Sequence, residues 1–314
     1  MSKLSTLKND VLLNLTVVSD THIDIKHPFP FLPKMYLKCA LSEAEKSKVP
    51  VDAFIIIGDT TSRGSEENWK LTRDVFKKVS HPAKNIIPVI GNHDTWSDDG
   101  KAFERYFSNC TQITGEKYER TYFKKEINGY SLIFIGAEKE GGCGALISGE
   151  QVQWLKAEME ISSKNNKPVF VFCHQSFNQK HGLPVTFDKE VKKDVPLTEG
   201  GIGDKSEEIE NILRQYKNVY YFSGHSHMGF SGVGSYKKRG YSSFEKSGDV
   251  TLVNLPSLAC GNHHGEDNSM CLGATIEVYE NEVIIRPRNF FKHRYLTKVD
   301  IKDGKPYYCQ KITN

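Results

Sequence analysis

Six short apolar runs, each cut off by a glycine or a polar residue, constrain this chain more than any other feature. They cover residues 12–19, 51–57, 86–90, 130–136, 168–173 and 219–223 and are rich in Val, Ile and Phe. Runs of this length without polar alternation suit strands buried on both faces of a sheet. Helical patterns fall between them, at residues 34–48, 66–79, 148–161 and 205–216. The third opens with Ser148 and Gln151 at capping-box spacing and carries an apolar stripe at Val152, Leu155 and Met159. Strand followed by helix, repeated, predicts an α/β layered domain. Near the end the pattern changes. "DVTLVNL", "GATIEVYE" and "NEVIIRPRNF" read as consecutive strands of a β-meander that joins or extends a sheet. Two long irregular stretches, 175–204 and 229–248, have the length of binding loops or lids. The expected organisation is one domain over residues 1–314.

Composition narrows the partners. The 314 residues carry a net charge of only +3, which gives no reason to expect nucleic acid or an anionic membrane as the main partner. No apolar run is long enough to span a bilayer, and the apolar stretch at 11–18 reads as a first strand rather than a signal peptide. The seven cysteines are odd in number, scattered, and without a CxxC pair. They fit free thiols in a reducing compartment, so the cytoplasm is the expected location.

The chemistry gathers where the strands end. "SDTHID" follows the first run and brings Asp20 and His22; "IGDTTSRG" follows the second and brings Asp59. "GNHD" follows the third with Asn92, His93 and Asp94. "FCHQS" follows the fifth with His174, and "SGHSHMG" the sixth with His225 and His227. Five of the eleven histidines stand at these ends. Ligands of open α/β sheets bind outside the carboxyl ends of the strands, so these side chains converge if the strands lie side by side. In an extended segment residues i and i+2 point the same way, which would pair Asp20 with His22 and His225 with His227. Nitrogen and oxygen donors without thiolate suit Mn, Fe or Zn. Even seven such donors are too many for one tetrahedral ion. They suit two ions sharing a carboxylate, roughly 3.5–4 Å apart, the clamp used on phosphate esters.

The ordered set DxH…GD…GNHD…H…GHxH resembles the calcineurin-like metallophosphoesterase superfamily, and it spans residues 20–227 with no metal-binding position missing. The resemblance implies a four-layer α/β/β/α sandwich of two mixed sheets, with residues 249–314 as a β-rich part of the second sheet. It implies one ion held by Asp20, His22, Asp59 and His227, and another by Asp59, Asn92, His174 and His225, with Asp59 bridging. His93 is left near the substrate as the catalytic group facing the leaving oxygen, and Asp94 would orient it. The activity implied is hydrolysis of phosphoric esters by attack of a metal-bridging hydroxide. "GDTTSRGSEENW", "LISGEQVQWLKAEM" and "VNLPSLA" are similar to segments of bacterial cyclic-nucleotide-phosphodiesterase-like members. A phosphodiesterase on small diesters is therefore expected, with Arg63 as a candidate phosphate contact. The alternatives are a small-molecule phosphomonoesterase and a non-catalytic scaffold of the same fold. A protein phosphatase is disfavoured because Thr95, Trp96 and Ser97, not an arginine, follow Asp94.

Overall fold

The computed structural model describes residues 10–80, 83–96, 99–139, 142–181, 200–230, 242–260, 270–296 and 307–313. In chain order its elements are β1 (Leu13–Ser19), α1 (Phe31–Glu45), β2 (Ala53–Ile57), α2 (Glu66–Phe76), β3 (Asn85–Val89), α3 (Ala102–Thr114), β4 (Phe123–Ile127), β5 (Tyr130–Phe134) and α4 (Gly149–Ser162). They continue with β6 (Val169–Phe172), α5 (Ser206–Leu213), β7 (Val219–Ser223), β8 (Phe244–Ser247), β9 (Val250–Asn254), β10 (Leu272–Val278), β11 (Glu282–Asn289), β12 (Arg294–Tyr295) and β13 (Tyr308–Lys311).

The strands form two mixed sheets. The first has the order β12-β11-β10-β1-β2-β3, with β13 also on β11; the second has the order β4-β5-β6-β7-β9-β8. β1, β2 and β3 run parallel, as do β5, β6, β7 and β9. Every residue of β1, β2, β6 and β7 is buried, as their unbroken apolar sequences require.

The two sheets pack face to face. Leu15, Val17, Ile55 and Ile57 from the first meet Leu132, Phe170, Phe172 and Phe222 from the second. An aromatic ladder of Phe123, Phe134, Phe172 and Phe222 crosses β4 to β7, with successive ring centroids 4.8, 5.1 and 5.2 Å apart. On the outer face of the first sheet, Leu37 and Leu41 of α1 and Val75 of α2 cover Val18, Phe54 and Ile56. On the outer face of the second, α4 and α5 bring Val152, Leu155, Met159 and Ile209 against Val171 and Tyr221. The result is the expected four-layer α/β/β/α sandwich.

Local chemistry accounts for the helix starts. Ser65 caps α2 by accepting from Asn68 N–H at 3.3 Å, and Glu66 and Glu67 sit favourably in its first turn. Ser148 caps α4 by accepting from Gln151 N–H at 3.1 Å. The second half of the capping box does not form. The Gln151 amide instead pairs with Gly136, its Oε1 accepting from the backbone N–H and its Nε2 donating to the carbonyl, both at 3.0 Å.

The end of the chain corrects one expectation. Only β9 of the three late strands joins the second sheet, where it lies parallel to β7. β10 and β11 form a hairpin on the other sheet, with β10 antiparallel to β1. A strand already flanked by β7 and β8 has no free edge for β10, and the open edge of β1 takes it. Of the expected lids 175–204 and 229–248, residues 182–199 and 231–241 lie outside the described residues. Among the described residues no helix is long and apolar enough to cross a membrane.

Candidate metal centre

Six of the seven expected ligands have their donor atoms grouped at the carboxyl ends of the strands, and Asn92 stands at a strand end next to His93, whose N–H meets Asp59. Asp20 and His22 follow β1, Asp59 follows β2, Asn92 follows β3, His174 follows β6, and His225 and His227 follow β7. The first sheet supplies four of them and the second sheet three.

The route to convergence differs from the extended i, i+2 spacing. Asp20, His22, Asp59, His225 and His227 all have positive φ, between 43° and 66°. Non-glycine residues enter this left-handed region rarely and at a cost, and such strain gathers at functional sites. After β1, β2 and β7 the chain thus leaves the strand through left-handed residues that carry the donor side chains.

The donor atoms are closely spaced. His22 Nε2 and His227 Nε2 are 3.0 Å apart, and His227 Nε2 is 3.1 Å from Asp20 Oδ1. His174 Nε2 is 3.1 Å from Asp59 Oδ2 and 3.1 Å from His225 Nδ1. The donors fall into two groups that share Asp59: Asp20, His22, Asp59 and His227 in one, and Asp59, His174 and His225 in the other. The side chains are anchored from behind. Ser19 Oγ donates to Asp20 Oδ2 at 2.5 Å, His225 N–H to the same oxygen at 3.0 Å, and His93 N–H to Asp59 Oδ1 at 2.9 Å. His174 Nδ1–H donates to the Ile57 carbonyl at 2.8 Å, which turns Nε2 towards Asp59.

The electrostatics suit cations. Burial opposes ionisation of Asp20, but His227 and His174, with hydrogen bonds from His22 and His227, hold its carboxyl well below the usual range. Burial opposes ionisation of Asp59 too, and His174, His22 and His93 hold it low. Burial alone would lower His174, yet Asp59 and Asp20 push it up to about 9. Among the described residues, Asn92 Oδ1 is buried without a hydrogen-bond partner. Such an atom is costly unless something binds it, and a metal ion would. The donor set of carboxylates, imidazoles and one amide fits a divalent transition metal.

The glycines of the motifs are demanded by space. A Cβ on Gly91 would stand 2.2 Å from both the backbone nitrogen and Oδ1 of Asp59. Gly91→Ala should therefore cost about 1–3 kcal/mol by overpacking and displace Asp59. A lowered urea midpoint together with reduced bound metal would register both effects.

Asp94 does not hold His93 as expected. Its Oδ1 accepts from Thr61 N–H at 2.9 Å and Thr61 Oγ–H at 3.2 Å, and its Oδ2 accepts from Gly91 N–H at 3.0 Å. It ties the turn after β2 to the turn after β3. Burial and the charge of Asp59 push its carboxyl up to about 7, against those hydrogen bonds. The His93 ring is held by the Ser62 carbonyl, which accepts from Nδ1–H at 2.9 Å. His93 also lies edge-on to His22 and Trp96, at centroid distances of 4.8 and 4.4 Å. Arg63 follows Ser62, is exposed, and stands 3.6 Å from Asp24. The sequence offers no sign of Ser62, because a backbone carbonyl does the work. Ser19 is legible only as the residue before Asp20.

The profile of the Calcineurin-like phosphoesterase family matches residues 13–229, and the chain belongs to that family. The glycerophosphodiester phosphodiesterase GpdQ of Enterobacter lignolyticus is 27% identical over 124 residues, covering 39% of this chain and 41% of the relative. A probable glycerophosphodiester phosphodiesterase GpdQ of Arcobacter nitrofigilis is 28% identical over 165 residues, covering 50% and 55%. The matches thus span about half the length of these curated relatives. A dimetal phosphatase from Danio rerio has a similar fold, with a TM-score of 0.59 at 14% identity over 90% of this chain and 97% of the other. So has the purple acid phosphatase PPD1 from yellow lupin, with a TM-score of 0.61 at 10% identity over 90% and 52%.

Proposed function

We propose that this protein is a binuclear-metal-dependent phosphodiesterase acting on small diesters. The observation that carries the reading is the pair of ligand groups sharing Asp59, with His93 beside them. Asp20, His22, Asp59 and His227 would hold one ion; Asp59, Asn92, His174 and His225 would hold the other. Such ions, when bound, acidify water and offset charge on phosphoryl oxygens.

The chain's own residues do the rest. The Ser62 carbonyl can only accept, so it keeps the proton of neutral His93 on Nδ1 and leaves Nε2 for the substrate. A proton taken up at Nε2 can pass to the leaving alcohol oxygen. Asp94 acts as a positioning residue by fixing the two turns that carry Asp59 and Asn92. Arg63 is a phosphate contact at the rim. The names of the two curated relatives support a diester over a monoester.

The test is a substrate panel on protein reconstituted with Mn2+ or Zn2+. Bis-p-nitrophenyl phosphate, p-nitrophenyl phosphate, a glycerophosphodiester, a cyclic nucleotide and single-stranded DNA would be compared by kcat/KM. One or more of the small diesters should be hydrolysed faster than the monoester. A monoester faster than every diester would reject the reading, and absence of turnover with any divalent metal would favour a binding scaffold.

A further inference from the structure

We propose that Cys260 is an additional metal ligand, its thiolate joining the ion held by Asp20, His22, Asp59 and His227. The inference rests on the metal-centre reading above and adds a donor that the family motifs do not contain.

Geometry is the first support. Cys260 Sγ and one ring nitrogen each of His22 and His227 all lie within 4.8 Å of one another. Donors bound to one ion at roughly 2.0–2.3 Å are separated by no more than roughly 4.6 Å, so a small adjustment brings all three onto a common ion. His22 and His227 already belong to the carboxylate-containing group, and the sulfur therefore stands beside an ion-binding set.

Placement is the second. Residues 257–260 are stitched to the strand end that carries Asp20. Leu258 N–H donates to the Ser19 carbonyl at 2.8 Å, and Ser257 Oγ donates to the Asp20 carbonyl at 2.9 Å. Cys260 N–H then donates to Ser257 Oγ at 2.9 Å. The cysteine is held against the site by its own backbone rather than by a mobile side chain.

Packing is the third. A free cysteine usually serves as a small core residue. Cys39, Cys110, Cys173 and Cys271 do so, each within or against an apolar cluster. Cys260, like Cys143 and Cys309, belongs to none of these clusters among the described residues, and its Sγ lies near the imidazoles of His22 and His227. Among the described residues Asn92 Oδ1, a donor to the neighbouring ion in the reading above, is buried without a hydrogen-bond partner.

Coordination breaks the S–H bond, sends the proton to solvent and forms a sulfur–metal bond, with no change in oxidation state. A soft thiolate then biases this position towards Zn2+ or Co2+ and away from Mn2+.

The protein loaded with Co2+ tests this. The wild type should show a near-ultraviolet thiolate-to-cobalt charge-transfer absorption. Cys260→Ser should lose it while still binding cobalt, whereas Cys39→Ser should keep it. Cys260→Ser should also lose about tenfold in Zn2+ affinity relative to Mn2+. Alkylation of wild-type Cys260 by iodoacetamide, mapped by peptide mass spectrometry, should be blocked by Zn2+; this needs no variant to fold. Bound cobalt without the absorption, or Zn2+ that leaves alkylation unchanged, would overturn the assignment of Cys260 and leave the diesterase reading intact. Failure to bind cobalt at all would overturn both.

Discussion

Asp59→Asn is expected to lower kcat/KM on a small phosphodiester by at least about a thousandfold, or about 4 kcal/mol of transition-state stabilisation. The residue is the only one common to both ligand groups. Asparagine keeps the size and the acceptor that receives His93 N–H, so the fold should survive. What disappears is the charge that His174 faces at 3.1 Å. Without it, burial should pull His174 back down from its raised value, and the second group keeps only neutral donors. Metal analysis of the purified variant should therefore find less bound metal than in the wild type. A variant with full metal content and full activity would remove the shared-carboxylate account.

His93→Ala should separate chemistry from metal binding. Among the described residues the side chain makes one hydrogen bond, to the Ser62 carbonyl, and belongs to neither ligand group. Metal content should be retained. The rate should fall by about 10²–10⁴, the range for loss of a positioned proton donor. The loss should shrink for diesters with a good leaving group such as p-nitrophenolate, which needs little protonation. An equal loss for aryl and alkyl diesters would mean that His93 positions the substrate rather than moving a proton. Asp94→Asn should behave differently, because that carboxylate touches Thr61 and Gly91 and not the His93 ring.

The sequence makes the inner layers of this molecule legible and the periphery much less so. Parallel strands buried on both faces read as unbroken apolar runs, so β1, β2, β6 and β7 are visible almost to the residue. Their ends are visible because polar residues stop those runs abruptly. β4, Phe-Lys-Lys-Glu-Ile, hides because an edge strand tolerates charge. α3 goes unassigned although Phe103, Tyr106, Phe107 and Cys110 have helical spacing and pack beside Trp69. The partner of β10 is hidden because sheet membership depends on which edge is open. At the site, residue types reveal the donors but not the backbone that aims them. The left-handed turns at Asp20, His22 and Asp59 have no signature in residue type, and neither does the role of the Ser62 carbonyl.

Because one part of the donor set belongs to each sheet, the aromatic layer between the sheets works as a gauge block. The distance from Asp20 to His227, or from Asp59 to His174, depends on how far apart Phe134, Phe172 and their neighbours hold the two sheets, together with the hydrogen bonds that cross between them at the site, such as His174 Nδ1–H to the Ile57 carbonyl. Thinning that layer lets the sheets approach or slide, and the donor spacing changes with no substitution near a donor. Donor spacing at this centre is thus partly a property of its hydrophobic core.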